Sequence, residues 1–290
     1  MTQNSHLSEN GNEHLDNLLF RLTTEYKRPF TGWDYTYLNG RMEEKQVDLP
    51  WNYEDTVREL LPECKGLLDI GTGGGEFLAS LSPLPEDTCA TENRAPNIDA
   101  ARRRLKPLGV TVTAVTDYDV RLPLNDCRFD LIINRHEPYI SYEVHRLLKS
   151  DGLFVTQQVG ESDNMELNQL LNAPELLGHR EWNLDHACNE LENVGFSILL
   201  KDEAFMETKF YDVGAIVYYL KAAPWQIEDF SIEKYSEQLV NLHHLIQKEG
   251  SLSVKSHRFF IVAKSGYMPL YALEGTLTGQ NAVPDGSAIG

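Results

Sequence analysis

Three glycines at alternate positions, Gly71, Gly73 and Gly75, form the segment of the sequence whose chemistry is easiest to interpret. They follow a short apolar run over 66–70 and precede a stretch that can start a helix. Glycine accepts positive φ angles and, having no Cβ, lets a ligand approach main-chain amides closely. A glycine loop between a strand and a helix lies at the carboxyl end of a sheet, where α/β proteins bind ligands. We therefore expect this loop to hold a nucleoside-bearing ligand.

The spacing of these glycines argues against a dinucleotide as that ligand. The dinucleotide fingerprint G-x-G-x-x-G requires glycine at position 76, and the chain has Glu76 there. A carboxylate is a poor neighbour for a pyrophosphate, because both are anionic. The chain instead has G-x-G-x-G after an acidic strand residue, Asp69.

Further residues follow the loop in a recognisable order. They are Glu92 at the end of the second predicted strand, then Asp117 and Asp119, then the start of another apolar strand at Phe129-Asp130. With the glycine loop they make the sequence resemble the class I S-adenosylmethionine-dependent methyltransferases. The resemblance covers about residues 53–160 and extends more loosely to residue 220. A Rossmann-like domain of another type is the alternative.

The resemblance implies S-adenosyl-L-methionine as the cofactor and assigns roles to the acids. Glu92 would accept hydrogen bonds from both ribose hydroxyls, and a bond to a charged acceptor contributes about 1.5–3 kcal/mol. Asp117 or Asp119 would lie near the adenine amino group; the spacing favours Asp119 without excluding Asp117. The implied cofactor-binding residues are Asp69, Gly71, Thr72, Gly73, Gly75, Glu92, Asn93, Asp117, Asp119, Val120 and Asn134.

The loop after the fourth predicted strand, Asn134 to Tyr139, is where the resemblance places the methyl acceptor. His136 is the candidate catalytic residue, because a neutral imidazole is available as a general base near pH 7. A role in capping the loop is the alternative, since a base is needed only if the acceptor carries a proton. The loop differs from the Asn/Asp-Pro-Pro-Tyr/Phe motif of nucleic-acid amino-methyltransferases, because three residues separate Asn134 from Pro138.

Aromatic residues precede the glycine loop, where many family members have segments that close over the cofactor and the acceptor. A ring that faced the sulfonium would gain about 0.5–2 kcal/mol of cation–π attraction. Packing in a hydrophobic lid or in the core is the alternative for each ring. The candidate acceptor-binding residues are Trp33, Trp51, Tyr53, Arg135 and Tyr139.

Strand and helix patterns alternate along the chain, which predicts an α/β fold. We expect a Rossmann-like methyltransferase fold with a mostly parallel seven-stranded sheet, an antiparallel last strand and helices on both faces. The strand candidates are Gly66–Ile70, Thr88–Glu92, Thr111–Val115, Phe129–Asn134, Leu153–Gln158, Phe196–Lys201, Asp212–Leu220 and Ser256–Ala263. Phe196–Lys201 and Asp212–Leu220 are expected to pair with each other. Asn183 can cap a helix that Gly195 ends.

The domain organisation follows from the same patterns. One methyltransferase domain is expected over 15–264, with its cofactor-binding core at about 53–160. Residues 1–14 are predicted to be disordered and 268–290 to form a flexible tail, because neither segment can bury enough apolar surface to offset its ordering entropy.

The charge of the chain bears on its partners. There are 26 basic and 44 acidic residues, a formal net charge of −18, whereas nucleic-acid binders cluster cations. The acidity also weighs against anionic membranes, and no apolar run approaches the roughly 20 residues that span a bilayer. Arg102-Arg103-Arg104 is a basic cluster, but consecutive helical positions point in different directions, so a solvated helix face is expected.

These observations lead to one expected function. The chain should transfer the methyl group of S-adenosylmethionine, in line, to an oxygen or nitrogen of a small-molecule acceptor. Methylation of rRNA or tRNA and a non-catalytic cofactor-binding scaffold or sensor are the alternatives. The four cysteines show no CxxC pairing, which favours reduced thiols in a cytoplasmic protein without a metal site.

Overall fold

A computed structural model describes residues 5–30, 35–44, 49–116, 118–174 and 181–267. Trp33, Asp117 and the predicted tail 268–290 lie outside these ranges. The α-helices of the described residues are α1 (Ser5–Lys27), α2 (Tyr53–Leu60), α3 (Glu76–Ser80), α4 (Ala95–Leu105), α5 (Ser141–Leu147), α6 (Met165–Leu170), α7 (Leu184–Asn193), α8 (Val213–Ala222) and α9 (Ser236–Glu249). The strands are β1 (Met42–Glu44), β2 (Gly66–Ile70), β3 (Asp87–Glu92), β4 (Thr111–Ala114), β5 (Phe129–Arg135), β6 (Leu148–Val159), β7 (Phe196–Phe210) and β8 (Leu252–Ser265).

The strands form one sheet in the order β1-β7-β8-β6-β5-β2-β3-β4. The strands β4, β3, β2, β5 and β6 run parallel, and β8 is antiparallel to both β6 and β7. Apart from the added edge strand β1, the sheet has the expected seven strands and antiparallel last strand, and these seven correspond to seven of the eight strand candidates. Because the strand order reverses at β2, the carboxyl end of β2 is a switch point, the usual place for a ligand in such sheets.

Apolar clusters cover both faces of the sheet. Neighbouring residues of one strand belong to different clusters: Leu68 and Phe154 pack on one face, Leu67 and Val155 on the other. Strand β2 is buried at every position, as expected for a parallel strand between two helical layers. A third cluster joins α1, α8 and α9 beside the antiparallel strands.

The segment Asp212–Leu220, predicted as a strand, is mostly helix α8, so that prediction was wrong. Its residues are almost all buried, and periodicity does not separate a fully buried helix from a fully buried strand. Asp212 sets the helix start, because its side chain accepts a hydrogen bond from the Ala215 amide at 2.9 Å. Strand β7 pairs with β8 instead and continues to Phe210.

The N-terminal elements pack beside the antiparallel strands, against α8, α9 and the end of β7. Helix α1 begins at Ser5, inside the segment 1–14 that composition predicts to be disordered. Leu18 and Leu22 of α1 are buried in the third cluster. Arg41 forms a two-point ion pair with Asp212 at 2.8 and 2.6 Å, and β1 pairs with the end of β7. These contacts fix the chain that leads toward α2 and the glycine loop.

Candidate functional site

The glycine loop joins the end of β2 to α3, and its backbone is the one that the spacing predicts. Gly71, Gly73 and Gly75 have φ angles of 74°, 61° and 79°, a region that favours glycine. The amide of Thr72 donates to the carbonyl of Thr91 at 2.9 Å, which ties the loop to β3. The loop is therefore a fixed feature at the switch point of the sheet.

Glu137, from the loop after β5, lies directly over Gly71. A Cβ added to Gly71 would come within 2.4 Å of the Glu137 Cγ and 2.5 Å of its Cβ. The Asn93 side-chain amide donates to the Glu137 carboxylate at 3.3 Å. The Glu137 side chain thus crosses the glycine loop and reaches the segment after β3.

Asp69 and two buried hydroxyl groups lie beside the glycine loop. Burial raises the pKa of Asp69 to about 6, although the nearby Thr72 hydroxyl and Arg135 guanidinium offset part of that effect. The Thr72 hydroxyl lies close to the Asp69 carboxylate, and the Tyr53 hydroxyl is buried close to the main chain of Asn134. These polar groups are therefore held together next to the glycine loop.

Glu92 ends β3, one strand away from the glycine loop, and is almost fully buried. Its Oε1 accepts hydrogen bonds from the amides of Asn93 at 3.0 Å and Arg94 at 2.8 Å. These two bonds fix the carboxylate at the carboxyl end of the sheet. The structure therefore brings Glu92 and the glycine loop together at the switch point, as the sequence predicts.

The segment after β4 contributes less to this arrangement. Asp119 accepts a hydrogen bond from the Thr116 amide at 2.6 Å, so its carboxylate caps its own turn. Asp119 and Val120 are both exposed. The choice between Asp117 and Asp119 stays open, because Asp117 lies outside the described residues.

Asn134, at the end of β5, uses its side chain to build the loop. Its Nδ2 donates to the Glu137 carbonyl at 3.0 Å, and its Oδ1 accepts from Thr156 at 2.9 Å and from Gln158 at 2.5 Å. The residue has no exposed surface.

His136 follows β5 and has a positive φ of 62°. Its amide donates to the Gln157 carbonyl at 2.8 Å, and its Nε2 lies 3.0 Å from the Gln157 Nε2. The Oε1 of the same Gln157 accepts from Trp51 Nε1 at 2.8 Å. Trp51, Gln157 and His136 thus form a continuous hydrogen-bonded row along the end of the sheet.

The surroundings of His136 favour its neutral form. Surrounding protein lowers the pKa of His136 well below its ordinary value, and the guanidinium groups of Arg258 and Arg135 lower it further. The residue nevertheless keeps an exposed surface.

Aromatic rings form one wall next to His136. The Trp51 indole stacks on Phe260 with centroids 5.7 Å apart, and Tyr53 packs against Phe77 at 5.5 Å. The guanidinium of Arg135 lies 4.7 Å from the Phe77 ring centroid. Three of the predicted acceptor-binding residues, Trp51, Tyr53 and Arg135, are therefore brought together on this wall.

Tyr139 lies on the other face of the sheet. Its ring packs against Phe154 at 4.9 Å and Trp182 at 5.8 Å, and both neighbours belong to the cluster opposite Trp51 and Tyr53. Burial raises the pKa of the Tyr139 phenol far above its ordinary value. The structure does not bring Tyr139 to the wall next to His136.

A buried ionic cluster lies beyond His136. Arg258 on β8 bonds to Asp163 at 2.5 Å and to Glu44 at 2.6 Å. Burial raises the pKa of the Tyr35 phenol above its ordinary value, and the nearby Glu44 carboxylate raises it further.

Sequence reasoning did not assign Glu137, Arg258 or Tyr35 to the site. Arg258 and Tyr35 come from parts of the chain remote from the glycine loop, and only the folded sheet brings them near it. Gln157 could have been found from the sequence, because it lies at the end of a predicted strand. That position is compatible with a contact to the substrate or to a neighbouring loop.

The described residues contain no cluster of three or more side chains suited to hold a metal ion, and none of their helices is long and apolar enough to cross a membrane.

Comparison with known proteins identifies the glycine-loop region. A family model described as a methyltransferase domain matches residues 68–156. That range begins in β2 and ends in β6, so it includes the glycine loop, the acid after β3 and the loop that carries His136. No curated protein matches the chain.

Several solved structures share the fold at low sequence identity. A candidate methyltransferase from Bacillus halodurans C-125 aligns with a TM-score of 0.54 and 16% identity, covering 74% of this chain and 97% of that one. The YcgJ protein of Bacillus subtilis aligns at 0.51 and 18%, covering 74% and 98%. A functionally unknown protein from Deinococcus radiodurans R1 aligns at 0.51 and 16%, covering 87% and 99%. At these identities the similarity establishes the fold.

Proposed function

We propose that this chain methylates an oxygen or nitrogen atom of a small-molecule acceptor, since a family model described as a methyltransferase domain matches residues 68–156. The observation that carries the proposal is the exposed imidazole of His136, which Gln157 joins to the indole of Trp51, a ring that stacks on Phe260. Acceptor pockets of small molecules are concave and mostly apolar, with a few polar groups that set orientation.

The residues around the glycine loop suit the cofactor. The buried carboxylate of Glu92 ends β3, where it would accept hydrogen bonds from ribose hydroxyls. When bound, S-adenosyl-L-methionine supplies a methyl group on a positively charged sulfur, already activated for attack. We propose that Asp69, Thr72, the loop glycines, Asn93, Asp119, Val120 and Asn134 complete the cofactor site.

The chain's own residues would act mainly by positioning. Trp51 and Tyr53 present fixed ring surfaces, because each packs against other aromatic rings. His136 and Arg135 present polar groups at the same wall. Holding two reacting groups in a productive geometry can lower a barrier by about 7–11 kcal/mol, which makes positioning the largest contribution expected here.

The charge of the chain favours a small acceptor. The chain carries a net charge of −18, which opposes approach of a polyanion. We therefore propose a metabolite-sized molecule as the substrate.

The cofactor site can be tested with Glu92→Gln. The amide oxygen of glutamine can still accept from the Asn93 and Arg94 amides, but the charge that would bind ribose hydroxyls is removed. We expect the affinity for S-adenosylmethionine and for its demethylated product to fall about tenfold or more, because a bond to a charged acceptor contributes about 1.5–3 kcal/mol. Isothermal titration calorimetry measures both affinities.

The exposed Glu63 provides a matched control for that variant. Glu63→Gln makes the same chemical change outside the site and should bind the cofactor like the unmodified protein. Unchanged affinity in Glu92→Gln would contradict the assigned site.

Turnover is tested separately, by incubating the protein and a panel of small hydroxyl- and amine-bearing compounds with the cofactor. Binding without formation of the demethylated product across that panel would favour a scaffold or sensor over an enzyme.

A further inference from the structure

The row formed by Trp51, Gln157 and His136 determines which nitrogen of the imidazole carries the proton. Two contacts define it: Trp51 Nε1 to Gln157 Oε1 at 2.8 Å, and Gln157 Nε2 to His136 Nε2 at 3.0 Å. The row begins at an indole, whose N–H donates and has no acceptor function. The direction of every bond in the row follows from that end.

The indole fixes the orientation of the Gln157 amide. Because Trp51 Nε1 must donate, the Gln157 atom that faces it must be the oxygen, which accepts. The amide nitrogen then faces His136, and that nitrogen can only donate. A flipped amide would set two donors against each other at Trp51, so the tryptophan excludes the flip.

The amide in turn fixes the imidazole. His136 Nε2 must accept from the Gln157 Nε2, so it carries a lone pair and no proton. A neutral imidazole has one protonated nitrogen, which here must be Nδ1. No hydrogen bond joins His136 Nδ1 to any other residue that the structure describes, and the residue is exposed.

We propose that Trp51 and Gln157 are positioning residues that hold His136 as the Nδ1–H tautomer, so that it presents a hydrogen-bond donor, and no base, to the acceptor. The part of this inference that concerns the acceptor rests on the proposed function. The exposed Nδ1–H of His136 would select a molecule with an accepting oxygen, such as a carbonyl, a carboxylate or an ionised phenol. The atom to be methylated then offers its lone pair without losing a proton to His136.

The tautomer can be observed directly in the protein without cofactor. Long-range ¹H–¹⁵N correlation spectra of the ¹⁵N-labelled chain at neutral pH distinguish a protonated ring nitrogen from one with a lone pair. The His136 signals are those that disappear in His136→Asn. We expect a protonated Nδ1 and an unprotonated Nε2. A protonated Nε2, a mixture of tautomers or a doubly protonated ring would overturn the proposal.

Gln157→Glu tests the cause of the tautomer. A carboxylate accepts at both oxygens, so it would bond to the indole N–H and also draw the imidazole proton to Nε2. We expect the tautomer to switch in this variant and to become mixed in Trp51→Phe, which removes the indole donor without adding charge. Gln247→Glu, at an exposed position of α9, should leave the spectrum unchanged. An unswitched tautomer in a folded Gln157→Glu would show that the row does not control the ring.

Kinetics of His136 variants test the role of the donor. Asparagine carries an N–H donor near the position of Nδ1 and tolerates the positive φ of residue 136, but it cannot act as a base. We expect His136→Asn to keep kcat within about tenfold and His136→Leu to lose much more. A loss of 10²–10⁴-fold in both variants would instead identify a general base. Because the tautomer is measured without cofactor, absence of turnover would refute the proposed function and leave this inference standing.

Discussion

At the scale of single residues, the glycine loop meets two separate requirements. Gly71 needs a backbone conformation with φ of 74°, and it also needs empty space on the side where Glu137 lies. The first requirement is a property of the chain alone. The second arises because the loop after β5 packs onto the loop after β2, and it brings an acidic side chain across the proposed cofactor site.

Gly71→Ala and Gly109→Ala separate these requirements. Gly109 has a similar φ of 77°, and a Cβ there would meet nothing within 4 Å, so Gly109→Ala should cost only the backbone strain of about 1–2 kcal/mol. Gly71→Ala should cost about 1–3 kcal/mol more because the new methyl group collides with Glu137. Urea unfolding measures both variants. Equal losses of stability would show that Glu137 does not pack against Gly71.

Residue patterns predict the local part of this site and miss its distant part. Gly71, Gly73 and Gly75 take the positive φ angles that their spacing implies, and Glu92 lies at the end of its strand. These features depend on a strand, a turn and the next strand, so a short segment contains the information. Glu137 lies in the loop that the sequence places near the acceptor, but its packing on Gly71 depends on the folded sheet. Arg258 reaches the site on an antiparallel strand added late in the chain, which no local pattern encodes.

At the scale of elements, Asp212 joins the start of α8 to the N-terminal region. Its carboxylate accepts the Ala215 amide as an N-cap and pairs with Arg41 at two points. Burial opposes ionisation of Asp212, but the bonds from Arg41 and the backbone outweigh it, so the pKa of Asp212 is lowered. The prediction of a strand here missed this cap, because the apolar run that follows Asp212 suits either structure.

Two variants of Asp212 separate the contribution of its N-cap from that of its ion pair with Arg41. Asp212→Asn keeps a good cap and loses an ion pair that is partly exposed, so it should destabilise the fold by only about 0–1 kcal/mol. Asp212→Ala should lose about 1 kcal/mol more, because the cap is removed as well. Thermal unfolding at neutral pH checks both values. Similar stability of the two variants would contradict the capping role.

The ion pair between Arg41 and Asp212 predicts that the stability of the fold depends on pH. Because the folded pKa lies below the unfolded value of about 3.9, the charge on Asp212 stabilises the fold fully above that pH. The contribution is lost as pH falls through the lowered folded pKa. Asp212→Asn should therefore lose less stability on acidification than the unmodified protein, whereas Asp99→Asn, an exposed position on α4, should follow the unmodified protein.

At the scale of the whole molecule, charge favours a small acceptor over a nucleic acid. The only run of three basic residues in the sequence, Arg102-Arg103-Arg104, lies at the end of α4, and all three are exposed, as a solvated helix face requires. Arg104 also pairs with Glu76 at 2.5 Å and donates to the carbonyl of Gly74, so it supports the glycine loop as well. This cluster stands on a chain with a net charge of −18.

Fluorescence anisotropy with labelled tRNA and rRNA fragments measures the consequence. A protein that makes 6–10 phosphate contacts loses about 10³–10⁵-fold in affinity between 50 and 200 mM salt, so binding through such contacts would be strong at low salt and steeply salt-dependent. We expect no saturable binding at 50 mM salt, with or without the cofactor, because the net charge of −18 opposes binding of a polyanion. Tight binding that weakened steeply with salt and disappeared in Arg102→Glu/Arg103→Glu would place a nucleic acid on α4, and the small-molecule acceptor would then have to be abandoned.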